Sequence, residues 1–136
     1  MSRPAQACSG TPLPRKLGIR EGTLLLLVGA PADFETTLGD LPPGARVTRR
    51  GTCRPARAVV FCRSLADLGR RFEAIAPRVA DGGSLWVAWP KRASGLAAGL
   101  GEREVRSFGL RSGWVDSKIC ALDRIWSGLC FARRRP

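Results

Sequence analysis

The fold is decided by residues 57–90, which read RAVVFCRSLADLGRRFEAIAPRVADGGSLWVAWP. The apolar runs at 57–62 and 84–89 are typical of strands buried on both faces. Between them, apolar residues recur at helical spacing: Leu65, Leu68, Phe72, Ile75 and Val79. The polar side of this predicted helix carries Arg70, Arg71 and Glu73. A strand, a helix and a second strand in this order predict a right-handed crossover between parallel strands.

The flanking sequence extends this unit on both sides. Upstream, the patterns predict a buried strand at 23–28, a short helix at 32–38 and a weaker strand at 45–50, after a lead-in turn at 14–22. Downstream, they predict a helix at 101–111 and two antiparallel strands at 114–122 and 126–133. The expected fold is α/β, a three-layer Rossmann-like arrangement whose mostly parallel sheet ends in a C-terminal antiparallel hairpin.

The chain length and its ends set the expected domain organisation. A chain of 136 residues is one domain of ordinary size. Residues 1–12 have little apolar content and are expected to be a flexible tail, with a single domain at 13–136. The sequence has neither an apolar run of the roughly 20 residues that a spanning helix needs nor a signal-peptide core, so we expect a cytoplasmic protein without membrane contact.

Composition narrows the possible chemistry. The formal net charge is +12, and 20 of the 23 basic residues are arginine, which makes a polyanionic partner plausible. The chain has no histidine, which excludes Ser-His-Asp and Cys-His catalysis and every zinc site that uses histidine. Its five cysteines include no C-x-x-C pair. We therefore predict no metal site.

Three stretches of sequence resemble a known fold family. APRVADGGSLWVAWP (76–90), SGWVDSKICALD (112–123) and WSGLCFARR (126–134) resemble the second half of a class I methyltransferase-type Rossmann domain. LGIREGTLLLLVGAP (17–31) is similar to the first strand and nucleotide loop of that family. The resemblance implies a central sheet with a terminal hairpin.

A closer resemblance covers residues 14–133. The motifs LGI-x-x-G (17–22), WPK-x-x-SG (89–95) and D-x-K-x-C-A-x-D-x-x-WSGL (116–129) are similar to those of a family of short bacterial proteins of unknown function. This resemblance implies no particular activity.

Two departures from a working methyltransferase are visible. The turn after the first strand has one glycine, Gly29, where a nucleotide loop has three so that the backbone can approach the ligand. After the second strand, where an acidic residue would bind ribose hydroxyls, the chain has Arg49 and Arg50. Both departures predict that the cofactor loop is degenerate, and we therefore predict no cofactor.

Ligands of open α/β sheets bind beyond the carboxyl ends of the parallel strands. The turns expected there supply candidate ligand-binding residues, namely Gly29, Asp33, Ser64, Lys91, Arg92, Ser94 and Gly95. Lys91 and Arg92 are cationic donors, and Gly95 allows close backbone approach, which suits phosphate or carboxylate. A solvated basic loop is an equally good interpretation.

Asp116 and Lys118 form a possible functional pair, because residues two apart on a strand share a face. A structural ion pair is the more common role of such residues.

Three functions are compatible with these patterns. The first is a non-catalytic methyltransferase-like domain that binds a small anionic ligand or a protein partner. The second is an S-adenosylmethionine-dependent methyltransferase. The third is weak, non-specific nucleic-acid binding at low salt, for which no sequence-reading element is visible.

Overall fold

The computed structural model describes residues 11–96 and 98–134. Except for Thr11 and Pro12, the predicted tail lies outside the described residues. Within them, the chain forms four α-helices: α1 (Leu13–Lys16), α2 (Phe34–Leu38), α3 (Leu65–Ile75) and α4 (Glu102–Arg111). The described strands are β1 (Leu24–Val28), β2 (Arg46–Thr48), β3 (Arg57–Phe61), β4 (Ser84–Pro90), β5 (Trp114–Ala121) and β6 (Trp126–Arg133). Short 3-10 helices follow α3 and β4, at Ala76–Arg78 and Arg92–Ser94.

The six strands form one sheet in the order β2-β1-β3-β4-β6-β5. The strands β2, β1, β3 and β4 are mutually parallel, and β6 runs antiparallel to both β4 and β5. The register across the centre places Leu27 beside Val59 and Val59 beside Trp86. The predicted α/β fold, with its mostly parallel sheet and antiparallel C-terminal hairpin, is confirmed.

Each face of the sheet has its own apolar core. On the face covered by α3 and α4, Phe72 is central and makes edge-to-face contacts with Phe108, Trp114 and Phe131. On the face covered by α1 and α2, Leu17 and Phe34 pack against the sheet. The covering is unequal, because α3 and α4 have 11 and 10 residues whereas α1 and α2 have 4 and 5.

The element boundaries differ from the predictions at a few places. The lead-in turn contains the short helix α1, in which Pro14 occupies the first turn, where its missing N–H costs nothing. The second strand is shorter than the predicted 45–50, since it ends at Thr48.

A β-bulge in β5 changes the predicted arrangement of its side chains. Asp116 lies opposite Phe131, while Lys118 lies opposite Cys130, so three residues of β5 span two of β6. Phe131 belongs to the core under α3 and α4, and Cys130 to the core under α1 and α2. Asp116 and Lys118 therefore lie on opposite faces of the sheet, which corrects the common face expected from strand alternation.

Candidate functional site

Four turns lie together at the end of the sheet where β1, β3 and β4 finish. Because these strands are parallel neighbours, the turns at 29–33, 62–64 and 90–95 share this end. β6 starts at the same end, because Trp126 pairs with Pro90. The β5–β6 connection at 122–125 is therefore the fourth turn at this end of the sheet. We call these four turns the carboxyl rim. It contains all seven predicted ligand-binding residues: Gly29, Asp33, Ser64, Lys91, Arg92, Ser94 and Gly95.

The gap between the turns after β1 and β3 is the switch-point crevice, because the direction of chain progression reverses between these strands. The guanidinium group of Arg71, from α3, occupies this gap. It donates a hydrogen bond to the carbonyl oxygen of Phe61, and a Cβ on Gly29 would overlap it. Gly29 has a φ of 72°, which favours glycine. The space beside the single glycine of this turn is therefore filled by a side chain of the protein itself.

Arg49 binds the same turn from the side of β2. Its Nη1 donates to the carbonyl oxygen of Ala30 at 3.0 Å, and its Nη2 donates to that of Pro31 at 2.6 Å. The guanidinium also donates to both carboxylate oxygens of Glu35, at 2.7 and 2.8 Å. Arg49 therefore links the chain after β2 to the turn after β1 and, through the bidentate pair, to the first turn of α2.

The electrostatics of this pair follow from its geometry. The hydrogen bonds from Arg49 lower the pKa of the Glu35 carboxyl from 4.5 to about 2. The same contact raises the pKa of Arg49. Both groups stay charged at any physiological pH, so the contact behaves as a permanent ion pair.

The turn after β3 contains no reactive nucleophile. Ser64 is the N-cap of α3, and its hydroxyl oxygen accepts a hydrogen bond from the Asp67 amide at 3.1 Å. Cys62 is fully buried, and burial raises the pKa of its thiol to about 12, so the thiolate is scarce at neutral pH.

Asp33, in the turn after β1, lies at the N-cap position of α2 without a side-chain capping hydrogen bond.

Lys91 holds two turns of the carboxyl rim together. Its Nζ donates to the carbonyl oxygen of Asp123 at 2.8 Å, and its amide donates to that of Ile125 at 2.7 Å. Ser94 closes its own turn, because its hydroxyl donates to the Lys91 carbonyl oxygen at 2.7 Å. Gly95 has a φ of 81° and ends the 3-10 helix in the left-handed region. Most polar groups of this loop therefore stabilise the loop itself.

Arg92 differs from Lys91, because its side chain is exposed and lines a pocket of about 270 Å³. The pocket lies between the Lys91–Gly95 loop and the start of α4, and Trp89, Leu100 and Glu102 line it as well. Glu102 forms an ion pair with Arg106 at 2.7 Å. Among the described residues that line this pocket, Arg92 is therefore the charged residue without an ion-pair partner.

The possible functional pair is separated. Asp116 accepts a hydrogen bond from Nε of Arg106 at 2.9 Å, and this contact lowers the pKa of the Asp116 carboxyl. Lys118 lies over the ring of Trp86, 5.9 Å from its centroid. The bulge explains the separation, since it rotates one of the two side chains to the other face.

Sequence reasoning missed the role of Arg71, which fills the crevice, and the contact partners of Arg49, which borders it. The sequence pattern places Arg71 on the polar side of α3, although it follows Leu68 by three residues and precedes Ile75 by four, both of which are buried. That spacing places Arg71 at the border of the apolar face and was available in the sequence. Arg49 gives no such local signal, because Glu35 is 14 residues away.

The described residues also limit other chemistry. Among residues 11–96 and 98–134, no three potential metal-ligating side chains lie together. None of the described helices combines the length and the apolar composition of a membrane span.

A scan against protein-family models finds no match, and no curated protein sequence matches. Several solved structures, in contrast, are similar to this chain in fold. The DhpI–SAH complex matches with a TM-score of 0.64 and 9% identity, over 96% of this chain and 86% of that chain. Precorrin-6y C5,15-methyltransferase from Geobacter metallireducens has a TM-score of 0.57 and 12% identity, over 90% and 86%. The N-methyltransferase NodS from Bradyrhizobium japonicum has a TM-score of 0.57 and 12% identity, over 85% and 88%.

The chain has a methyltransferase-like Rossmann fold. At these identities the likeness concerns the fold alone. Membership of the short bacterial family stays a prediction.

Proposed function

We propose that this protein is a non-catalytic domain with a methyltransferase-like fold, which binds a small anionic ligand at the carboxyl rim. The observation that carries the proposal is the occupied switch-point crevice. The place where an open α/β sheet receives its ligand is filled by Arg71 and bordered by Arg49.

Emptying the crevice would break contacts that the fold makes. Arg71 would have to give up its charge-assisted hydrogen bond to the Phe61 carbonyl oxygen. Opening the turn after β1 would also break the contacts of Arg49 with Ala30, Pro31 and Glu35. A nucleotide cofactor would therefore compete with contacts that the folded chain already makes.

The pocket beside Arg92 is the part of the rim that suits an anion. Arg92 offers a guanidinium fork for a phosphate or carboxylate, and Trp89 and Leu100 supply apolar surface. The negative charge of Glu102 is balanced by Arg106. Lys91 supports this site by fixing its loop to the β5–β6 connection.

The second candidate function is an S-adenosylmethionine-dependent methyltransferase. It is favoured by one observation, the match to the DhpI–SAH complex over 96% of this chain. This function requires Arg71 to move away from Gly29 when a cofactor binds.

The ligand site is tested by thermal-shift measurements with inorganic phosphate, acetyl phosphate and citrate. We expect at least one of these anions to raise the Tm of the wild type and to have a smaller effect on Arg92→Gln. Lys91→Ala should also reduce the shift, because the loop loses its attachment to Asp123. Arg54→Gln is the matched control, since Arg54 is an exposed loop arginine elsewhere in the chain. Equal shifts for wild type and Arg92→Gln would refute the site.

Calorimetry with S-adenosylmethionine separates the two candidate functions. We expect no measurable binding to the wild type. Micromolar binding to the wild type would instead establish the methyltransferase alternative. Arg71→Ala removes the guanidinium from the crevice, so binding that appears only in this variant would support the role of Arg71 as the block.

A further inference from the structure

A groove of about 580 Å³ lies far from the carboxyl rim, on the face of the sheet covered by α1 and α2. The segment that leads into β1, the connection from α2 to β2, and β5 all contribute to its lining. We call it the α1 groove. Its volume lies within the range of about 300–1,000 Å³ that is usual for small-molecule sites. None of the predicted ligand-binding residues lines it.

The α1 groove is lined by unpaired cations. Arg15, Arg20 and Lys118 line it, and all three are exposed and form no ion pair with the described residues. Asp40 is its one acidic lining residue. Three cations against one carboxylate leave two positive charges at the groove. A dianion such as a phosphate monoester would match this charge.

Two neighbouring features add to the positive potential. Arg57 lies behind the groove wall and donates from Nε to the carbonyl oxygen of Gly18 at 3.0 Å. Lys16 and Lys118 together line an adjoining cavity of about 130 Å³. Some arginines of this chain are bound to backbone oxygens, as Arg133 is to Ala76 and Val79, whereas Arg15 and Arg20 have no such partner among the described residues.

The rest of the lining is apolar. Pro12, Ile19, Leu41 and Pro42 contribute to the walls. Apolar walls with a few placed charges are typical of sites for organic molecules. An inorganic ion would leave these walls in water, whereas the organic part of an ester would cover them.

We propose that the α1 groove is a binding site for a small organic phosphate, whose phosphate is held by Arg15, Arg20 and Lys118 and whose organic part packs on the apolar wall. This site is independent of the proposed function at the carboxyl rim. Neither proposal requires the other to be correct.

The probe is 1-naphthyl phosphate, a dianionic monoester with an apolar aromatic body. Calorimetry should show tighter binding of this probe than of 1-naphthol or inorganic phosphate. Arg15→Gln, Arg20→Gln and Lys118→Gln should each weaken its binding about tenfold, because each removes a charge-assisted contact. Asp40→Asn should tighten it, because the one opposing charge is lost.

Two control variants make the same charge changes elsewhere. Arg103→Gln, on α4, and Glu73→Gln, on α3, should stay within about twofold of the wild type, since both residues are exposed and remote from the groove. Circular dichroism checks that every variant folds. Loss of binding by the three groove variants with unchanged controls supports the site.

Three results would overturn this proposal. The first is unchanged affinity in all three groove variants. The second is binding of 1-naphthol as tight as that of its phosphate. The third is displacement of the probe by duplex DNA at physiological salt, which would assign the groove to a nucleic-acid backbone. Because Arg92 is not part of the groove, Arg92→Gln leaves every one of these results unchanged.

Discussion

Individual arginines in this protein serve structure more than surface charge. Arg71, Arg78 and Arg133 each donate to backbone carbonyl oxygens, and Arg133 also lies over the ring of Trp114. Arginine suits this role because its donors form a rigid fork and its charge is permanent. The number of arginines therefore overstates how many guanidinium groups are free to contact a polyanion directly. Sequence alone could not show this, since the carbonyl partners are 10 to 57 residues away.

The Glu35–Arg49 pair gives a pH-dependent prediction. The pKa of Glu35 is near 4.5 when unfolded and about 2 when folded, so its contribution to stability is present above pH 4.5 and is lost as the pH falls towards 2. Glu35→Gln should lower the free energy of unfolding near neutral pH by less than about 1 kcal/mol, because the pair is partly exposed.

Urea unfolding of the wild type and Glu35→Gln at a series of pH values measures this difference. It should shrink below pH 4.5. Glu73→Gln is the control, because it makes the same substitution at an exposed glutamate that forms no ion pair with the described residues. A Glu35→Gln difference that grows on acidification would contradict the assignment.

Whole elements were predicted well wherever periodicity was strong. The helix α3 was visible in the spacing from Leu65 to Ile75 and in its Ser64 cap, because burial of one helix face imposes that pattern. The bulge in β5 was not predictable, because nothing in residues 114–121 marks the point at which the alternation changes phase. For that reason the expected pairing of Asp116 with Lys118 failed, although both strands of the hairpin were placed correctly.

Alanine substitutions at two helical glycines should change the stability of the protein in opposite directions. Alanine is favoured over glycine in a helix by about 1 kcal/mol. A Cβ on Gly69, in α3, would meet Phe108 at 3.9 Å, an ordinary contact, so Gly69→Ala should stabilise the protein by about 0.5–1 kcal/mol. A Cβ on Gly109, in α4, would overlap the ring of the fully buried Phe131. Gly109→Ala should therefore destabilise it by about 1–3 kcal/mol.

Chemical denaturation measures both variants. Each serves as the control for the other, because the substitution and the helical setting are the same. A shift of both stabilities in one direction would show that helix propensity or packing alone governs these sites.

At the scale of the whole molecule, the basic residues do not form one surface. Arg49 follows the carboxyl end of β2, whereas Arg57 begins β3 at the opposite end of the sheet. Arg57 is half-buried and bound to Gly18 and Ala56. Arg49 and Arg57 therefore lie at opposite ends of the sheet and do not belong to one basic patch.

This division shapes the prediction for nucleic acid. With a net charge of +12, the protein should bind duplex DNA at low salt, lose affinity steeply with added salt and show no sequence preference. Arg50→Ala should reduce the slope of log affinity against log salt by up to about 0.9, as one phosphate contact would. Arg49→Ala should reduce it less, since this guanidinium is bound to Glu35.

Fluorescence anisotropy with a labelled duplex over a range of salt concentrations measures these slopes. Affinity that survives physiological salt and falls in the Arg49→Ala/Arg50→Ala variant would make nucleic-acid binding the main function instead.

The candidate site was predictable in location but not in detail. Strand order and turn positions placed Gly29, Ser64 and Lys91 at one end of the sheet, because parallel strands bring their carboxyl ends together. The direction of each side chain depends on contacts that are distant in sequence. Lys91 turns towards Asp123, whereas Arg92 lines the pocket between its loop and the start of α4.

The bulge in β5 has a consequence for the solubility of the protein. β5 is the last strand of the sheet, and its exposed residues include Val115 and Ile119. A straight, partly apolar edge strand can pair with the same strand of another molecule and start aggregation. A bulge opposes this pairing, because it interrupts the row of backbone hydrogen-bonding groups along the edge. Deletion of Ser117 should straighten the strand and produce concentration-dependent aggregates, detectable by light scattering, under conditions in which the wild type stays monodisperse.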